Sequence, residues 1–401
     1  MSMRAQSPEI QRDLRATSLR LIMLLGVASL FGSLISNGAR SVTGPYLLLL
    51  GGSAAVVGLV AGAGEFIGYA LRAATGAYLG RNHRYWKVAI GGYCMLAAIP
   101  FLAFAGQWAT AAALIIAERI GKAIRTPARD TILSHATVAV GRGWGFGFHK
   151  ALDQVGAVAG PLVMVVALAV TGGYTDGFLV LAIPLIGVAV ALFLARSEVP
   201  SPRFLEVEEM QGDNIPSILP YALFIFLGMA GFATFPLISF HLKAGAIVSD
   251  AAIPLFYAGA MVVSVFVALL LGRVFDRLGS RILLAIPIIS LATVFLAFSP
   301  DPRMAVAGSL VWGAGIGIFE PVLRASIAAS TSLERRGKVY GTLSAVYGTA
   351  WFVGSAVMGV LYDVSIGHIL AYVVMVEAAA LVAYLWLYRS RVAVGPPEVT
   401  L

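Results

Sequence analysis

Twelve apolar stretches, each about as long as a membrane-spanning helix, constrain this chain more than any other feature of its sequence. A bilayer core about 30 Å thick is crossed by about 20 helical residues. The sequence therefore predicts an all-α membrane protein with twelve transmembrane helices. The predicted spans are residues 19–39, 53–79, 86–105, 109–128, 146–170, 177–195, 218–240, 251–275, 282–299, 304–330, 340–362 and 368–388.

The composition agrees with this fold class. Hydrophobic residues make up 59% of the 401 residues and charged residues only 12%, about half the charged share of soluble domains. The mean hydropathy of +0.88 and the 44 glycines are typical of membrane helices. These values exclude a soluble enzyme, a disordered chain and collagen. A disulfide scaffold is also excluded, because Cys94 is the single cysteine.

The basic residues predict the orientation of the chain. Lys and Arg concentrate in both termini and in the even-numbered gaps between spans, whereas the odd-numbered gaps hold Arg40, Lys243 and Arg303. The positive-inside rule then places both termini in the cytoplasm. Because these charges lie in short gaps rather than on one basic face, the net charge of +8 does not predict nucleic-acid binding.

The two halves of the chain repeat each other. Glycines at 121, 147 and 160 recur at 315, 341 and 354, and Pro127 recurs as Pro321, all at the same offset of 194 residues. Such internal symmetry is typical of transporters, although glycine and proline can also recur by chance in a Gly-rich chain. We predict two six-helix bundles related by a pseudo-two-fold axis. The predicted divisions are a cytoplasmic segment 1–18, bundles 19–195 and 218–388, a cytoplasmic linker 196–217 and a tail 389–401.

Three motifs carry a resemblance to a known family. Residues 272–281 read GRVFDRLGSR, which is similar to the signature Gly-x-x-x-Asp-Arg-x-Gly-Arg-Arg of the major facilitator superfamily. The copy at 76–84 is degenerate, with Gly80 in place of the aspartate. Residues 156–161 match the family's Gly-x-x-x-Gly-Pro pattern, which is associated with antiporters. Together with the stretch 118–130, these motifs resemble bacterial efflux-type permeases of the drug/proton antiporter kind.

The resemblance implies that spans one, four, seven and ten line a central cavity. Glu118 lies in the fourth span, with Arg119 beside it and Lys122 one turn on. Because an ionised side chain in hydrocarbon is costly, this pair predicts a proton-coupling site; a static ion pair that fixes the helix is the alternative. Glu65 lies among apolar and glycine residues of the second span and is a second proton-coupling candidate, or else a neutral structural acid.

Residues at the cytoplasmic ends of the spans are candidates for gating. His149 and Asp153 lie four residues apart on one helix face. The resemblance implies a conformational lock between an acid and basic residues, and Asp153 is a candidate for that acid. Asp153 is also a candidate for proton coupling. The alternative for the arginines is that they only set the orientation of the chain in the membrane and contact lipid headgroups. The predicted gating residues are Arg125, Arg129, His149, Asp276, Arg277 and Arg281.

A further set predicts the substrate cavity. Glu320 and Arg324 flank Pro321 in the tenth span, where the proline can bend the cavity wall and free a carbonyl group. Aromatic side chains of the cavity-lining and flanking spans complete the set, although aromatic residues in membrane helices more often serve packing. The predicted cavity residues are Asn37, Phe232, Phe235, Glu320, Arg324, Tyr347 and Trp351, with Phe31 as a further aromatic.

These observations predict a secondary transporter that exports a small amphipathic compound in exchange for protons. Uptake or facilitated passage of a nutrient or metal ion is an alternative in the same fold, and a non-transporting membrane sensor is another. No phosphate-binding loop, zinc-ligand spacing or nucleophile elbow is present in the sequence. We therefore expect no enzyme activity, no cofactor and no bound metal. The expected partners are a small-molecule substrate, protons and membrane lipid, and the chain is expected to be monomeric.

Overall fold

The structure is a computed structural model that describes residues 8–137, 140–200, 219–330 and 336–394. The backbone is described throughout these ranges. Side chains are described in the same ranges except at residues 8–12, 142, 219–221, 272–281, 320–330, 336–340 and 387–394.

The described residues form long helices joined by short loops. The helices are α1 (Pro8–Leu49), α2 (Ala54–Asn82), α3 (Tyr85–Phe104), α4 (Trp108–Thr137), α5 (Arg142–Thr171), α6 (Tyr174–Glu198), α7 (Leu219–Ala230 and Phe235–Ala244), α8 (Ile253–Leu278), α9 (Ala285–Ala297), α10 (Pro302–Ser330), α11 (Arg336–Val364) and α12 (Ile366–Val394). Three of them depart from regular α-helix: α3 contains two 3-10 turns, α6 is interrupted at residues 181–182, and α7 is interrupted between its two parts.

Ten helices of the described chain are long and apolar enough to cross a membrane. Two of the predicted spans are not among these ten. The fourth, in α4, carries too many charged residues, and the ninth, Ile282–Ala297, is apolar but short. The chain is therefore an all-helical membrane protein, whereas the count of twelve spans and the pseudo-two-fold relation of two bundles stay predictions.

The ends of two spans differ from the predicted ones. Helix α1 continues through Arg40 and Pro45 to Leu49, so Arg40 lies within a helix rather than in the first gap. Helix α7 is interrupted at residues 231–234, and Pro236 near the start of its second part has no backbone N–H to donate to the carbonyl group of residue 232. Apolar sequence continues across this break, so hydropathy alone predicts one unbroken span.

The chain divides into two compact units. Unit 1 consists of Met1–Val42, Ala70–Glu208 and Asp250–Ala258, and unit 2 consists of Thr43–Tyr69, Glu209–Ser249 and Gly259–Leu401. The units thus combine segments from the two halves of the sequence. The predicted division into bundles 19–195 and 218–388 stays a prediction.

Glycines of the predicted repeat make corresponding contacts within each unit. In unit 1, a Cβ atom at Gly160 of α5 would collide with the carbonyl oxygen of Leu34 in α1. In unit 2, a Cβ atom at Gly354 of α11 would collide with the carbonyl oxygen of Ala230 in α7. Both glycines therefore allow helix backbones to approach closely, as small residues do in membrane bundles.

Asp363 of α11 caps the N-terminus of α2. Its carboxylate oxygens accept hydrogen bonds of 3.1 Å each from the backbone N–H groups of Ala54 and Ala55. The first N–H groups of a helix have no partner within the helix, and a negative charge at this end is favourable. Asp363 therefore fixes the start of α2 to the end of α11.

We expect Asp363→Ala to lower the free energy of unfolding by about 0.5–2 kcal/mol, because both backbone donors lose their acceptor. The measurement is the unfolding of the detergent-purified protein. Asp363→Asn should recover part of this loss, since its amide oxygen can still accept one of the bonds. An alanine variant as stable as the wild-type protein would contradict the capping role.

Candidate functional site

Charged side chains of α4 point into the interior of unit 1. Glu118 is 2% exposed and Arg125 is 4% exposed. Both oxygens of the Glu118 carboxylate are engaged, because Oε1 accepts a hydrogen bond of 2.6 Å from Ser36 Oγ and lies 3.7 Å from Arg125 Nη2, while Oε2 lies 3.5 Å from Arg119 Nε. Such buried charges in membrane proteins are paired and face protein or water rather than lipid.

One partner of Glu118 was not suggested by the sequence. The sequence places Arg119 beside Glu118 and Lys122 one turn along the helix, and the structure pairs Glu118 with Arg119 and with Arg125, two turns along. Ser36 of α1 completes the arrangement, because Arg125 Nη2 donates a 3.4 Å hydrogen bond to Ser36 Oγ. The position of this serine depends on the packing of α1 against α4. Residue spacing along α4 alone cannot reveal such a contact.

Close packing of α3 against α4 positions Arg125. A Cβ atom at Gly92 of α3 would lie only 2.6 Å from the carbonyl oxygen of Gly121 and 2.7 Å from the backbone nitrogen of Arg125. The guanidinium carbon of Arg125 lies 5.1 Å from the ring centre of Tyr93, within the range of a cation–π contact. The two glycines thus bring the aromatic face of α3 against the cation of α4.

A second group of polar side chains continues from Tyr93 towards α5. Ser29 Oγ lies 3.1 Å from Tyr93 Oη and 2.8 Å from His149 Nε2, and it accepts a 3.1 Å hydrogen bond from Arg129. Arg129 also forms a 2.7 Å ion pair with Asp130. We call the whole set the unit 1 polar cluster. Its members are Ser29, Ser36, Tyr93, Glu118, Arg119, Arg125, Arg129, Asp130 and His149.

Helix α1 supplies two of the cluster residues that the sequence did not predict, and Tyr93 of α3 and Asp130 of α4 are the others. Ser29, Ser33 and Ser36 recur at intervals of four and three residues, so they form one polar stripe along the middle of α1. Two of the three contact the cluster. This spacing is the signal in the sequence that could have identified them.

Asp153 lies beside the cluster and forms its own ion pair. Its Oδ2 accepts a 2.9 Å hydrogen bond from Lys150 Nζ, and its side chain is 23% exposed. It is close enough to Arg125 and Arg129 to interact with both charges. The structure thus brings together five predicted residues of the coupling and gating sets, Glu118, Arg119, Arg125, Arg129 and His149, with Asp153 at their edge.

Other predicted residues lie elsewhere or outside the description. Glu65 lies in α2 and is partly exposed. Asn37 donates to Ser33 and accepts a 2.8 Å hydrogen bond from Tyr257, and Phe31 packs on Gly187 of α6. Five predicted residues lie in helices or turns whose side chains are not described: Asp276, Arg277, Arg281, Glu320 and Arg324.

The predicted cavity aromatics of unit 2 form one cluster. Phe232 lies in the break of α7 and its ring centre is 6.2 Å from that of Trp351, which in turn is 5.6 Å from Tyr347. Phe235 joins through Trp312, at 5.3 Å. All of these rings are at least 95% buried.

Two further aromatic residues of α10 belong to this cluster. Trp312 stacks on Phe232 and donates a 2.9 Å hydrogen bond to the carbonyl oxygen of Ala233, and Phe319 lies 4.8 Å from Phe232. A small apolar cavity beside the cluster is lined by Phe319 and Tyr347 together with residues of α7 and the α9 region. Trp312 and Phe319 lie seven residues apart, on one face of α10.

Comparison with known proteins agrees with this architecture. The sequence profile of the Major Facilitator Superfamily matches residues 220–399. An uncharacterized protein of Mycobacterium tuberculosis, Rv2265, is 41% identical over 93% of this chain and 94% of its own length. The uncharacterized MFS-type transporter MJ1317 of Methanocaldococcus jannaschii is 25% identical over 86% of this chain and 89% of its own. The crystal structure of the nucleoside transporter NupG superposes with a TM-score of 0.70, at 13% identity, over 91% of this chain and 98% of NupG.

Apolar helices long enough to span a membrane, with buried charges that are paired, indicate an integral membrane protein. The profile of the major facilitator superfamily matches residues 220–399, and this match together with the MFS-type relatives supports a membrane transporter.

Proposed function

We propose that this chain is a secondary active transporter that exports a small amphipathic compound in exchange for protons. It works by alternating access in a bacterial inner membrane, with both termini in the cytoplasm. The observation that carries the proposal is the buried Glu118 carboxylate, held between two arginines and a serine in a charged helix of a membrane protein. Charges of this kind are costly in a membrane and mark the paths of protons and substrates.

Protonation of Glu118 would change the partners of Arg125. When a proton binds to a carboxylate oxygen, the ion pairs from Glu118 to Arg119 and Arg125 lose their attraction. Arg125 also interacts with Asp153, so its charge is then balanced mainly by that second carboxylate. A proton on Glu118 therefore shifts the balance of charge along α4 towards α5. Such a shift is a local event that can bias a helix between two positions.

Glu65 is the second proposed proton carrier. It lies in α2 among apolar and glycine residues, and its side chain is partly exposed, whereas Glu118 is buried. In the proposed cycle, Glu65 and Glu118 both load and release protons.

The proposed substrate class follows from the aromatic cluster of unit 2. Phe319 and Tyr347 line a small apolar cavity beside the buried cluster, and the Tyr347 hydroxyl adds a polar group at the edge of its ring. A cavity with such a lining suits a compound with both an apolar body and a polar group. Uptake or facilitated passage of a nutrient or metal ion, and a membrane sensor that transports nothing, remain the alternative functions.

The test uses the purified full chain in liposomes with an imposed pH gradient and a pH-sensitive dye sealed inside. The amphipathic dyes ethidium and rhodamine serve as probes. We expect dye movement to accompany proton movement in the wild-type protein and both to be lost in the Glu65→Gln, Glu118→Gln double variant. Glu198→Gln is the matched control, because Glu198 forms an exposed ion pair with Arg20 and should leave transport unchanged.

Three results would contradict the proposal in different ways. Proton movement that persists in the double variant removes Glu65 and Glu118 as carriers. Dye movement that ignores the pH gradient supports facilitated passage. Absence of movement for every probe, in a protein that is folded and correctly inserted, supports the sensor.

A further inference from the structure

Glu377 of α12 is an acid in an unusual setting within unit 2. Its side chain is 0% exposed, and neither carboxyl oxygen has a hydrogen-bond partner among the described residues. Glu118, in contrast, is equally buried but has two arginines and a serine. The sequence analysis assigned no role to Glu377.

The carboxyl group of Glu377 lies against the break in α7. A Cβ atom at Gly231, the first residue of the break, would collide with Glu377 Oε1. On the same helix, Tyr372 donates a 3.2 Å hydrogen bond to the carbonyl oxygen of Ala230, the last residue of the first part of α7. The carboxyl group therefore faces the C-terminal end of a half-helix, where free carbonyl groups give a partial negative charge.

Ser290 of α9 is a polar side chain close to the carboxyl group of Glu377. Its hydroxyl group is fully buried and has no hydrogen-bond partner among the described residues. Other hydroxyl groups in helices of this protein instead donate to the carbonyl group four residues earlier, as Thr126, Thr131 and Thr171 do. The Ser290 hydroxyl group is therefore available to the carboxyl group of Glu377.

An ionised carboxylate would be unstable in this position. It would carry a full charge into an apolar interior, beside the negative end of α7, and no basic side chain of the described residues pairs with it. Among the described residues, the titratable group that interacts with it is Tyr372, which is neutral and donates a hydrogen bond to the carbonyl oxygen of Ala230. A proton removes the charge and supplies a donor for Ser290 or for a carbonyl oxygen of the break.

We propose that Glu377 is a proton-binding site of unit 2, whose carboxyl group holds its proton at neutral pH and contacts the break of α7 in the neutral form. Loss of this proton would leave the carboxylate beside the carbonyl groups of the break, and the two would repel. The proton therefore holds α12 against the first part of α7. This site is separate from Glu65 and Glu118, and the inference does not depend on the function proposed for them.

The test is infrared difference spectroscopy of the purified full chain at pH 7. A protonated carboxylic acid has a C=O stretching band that a carboxylate and an amide both lack in that region of the spectrum. We expect this band in the wild-type protein and its loss in Glu377→Gln, which replaces the neutral acid by a neutral group of the same shape. Glu118→Gln is the matched control and should leave the band unchanged, because Glu118 is ionised between its arginines.

Ser290→Ala provides a second variant that retains Glu377. We expect its band to remain but to move to higher frequency, because the C=O group loses a hydrogen-bond partner. An identical spectrum in this region for the wild-type protein and Glu377→Gln would show that Glu377 is ionised and would overturn the proposal. Loss of the band in Glu118→Gln would assign the proton to the other acid and would also overturn it.

Discussion

Replacement of Glu118 by alanine is expected to lower the free energy of unfolding by about 3–5 kcal/mol, the cost of removing one partner from a buried ion pair. Arg125 would remain 4% exposed with its charge uncompensated, and Ser36 would lose the acceptor of its 2.6 Å hydrogen bond. The measurement is denaturant or thermal unfolding of the detergent-purified protein. Glu118→Gln should cost less, because the amide oxygen can still accept the bond from Ser36.

The matched control for this prediction is Glu198→Ala. Glu198 lies 3.6 Å from Arg20, but the two side chains are 33% and 68% exposed, so the loss of this pair should cost at most about 1 kcal/mol. A double-mutant cycle with Glu118→Gln and Arg125→Gln then isolates their interaction, since the double variant should be less destabilised than the sum of the single variants. Equal losses for Glu118→Ala and Glu198→Ala would contradict the buried network.

The sequence predicted the charged helix of unit 1 but not the geometry of its ion pairs. Glu118, Arg125, Arg129 and His149 were identified because charged residues stand out in apolar spans. The contribution of Ser36 was not identified, because regularly spaced serines are a weaker signal than a charge and the role of Ser36 depends on the neighbouring helix. Residue spacing along one helix therefore identifies candidates. The packing of α1 and α3 against α4 determines that Arg125, and not Lys122, forms the second ion pair with Glu118.

The same limit applies to the helices themselves. Ten of the twelve spans that apolar length predicted are helices long and apolar enough to cross a membrane, because burial of an entire helix in lipid leaves a continuous hydrophobic signal. Apolar length did not predict the break in α7, since residues 231–234 are as apolar as their neighbours and differ only in backbone geometry. The position of Glu377 at that break was hidden for the same reason, because the helix end that it faces appears only in the structure.

Glycines at equivalent positions of the two halves provide the second large prediction. We expect Gly160→Ala and Gly354→Ala each to cost about 1–3 kcal/mol, because the added methyl group would meet the backbone of the neighbouring helix and force the two helices apart. In the same two helices, Gly147 and Gly341 have open space at the Cβ position. Alanine there should change the stability by no more than about 1 kcal/mol, since only helix propensity is altered.

The four variants together test the internal repeat by unfolding of the purified protein. If the halves are built alike, the pair in α5 and the pair in α11 should each give one large loss and one small change, in the same order along the sequence. Since Gly160 packs on α1 and Gly354 on α7, the two losses arise in different units and should add in a double variant. A large loss at 160 with none at 354, or the reverse, would show that the offset of 194 residues is a coincidence of glycine content rather than a repeated helix contact.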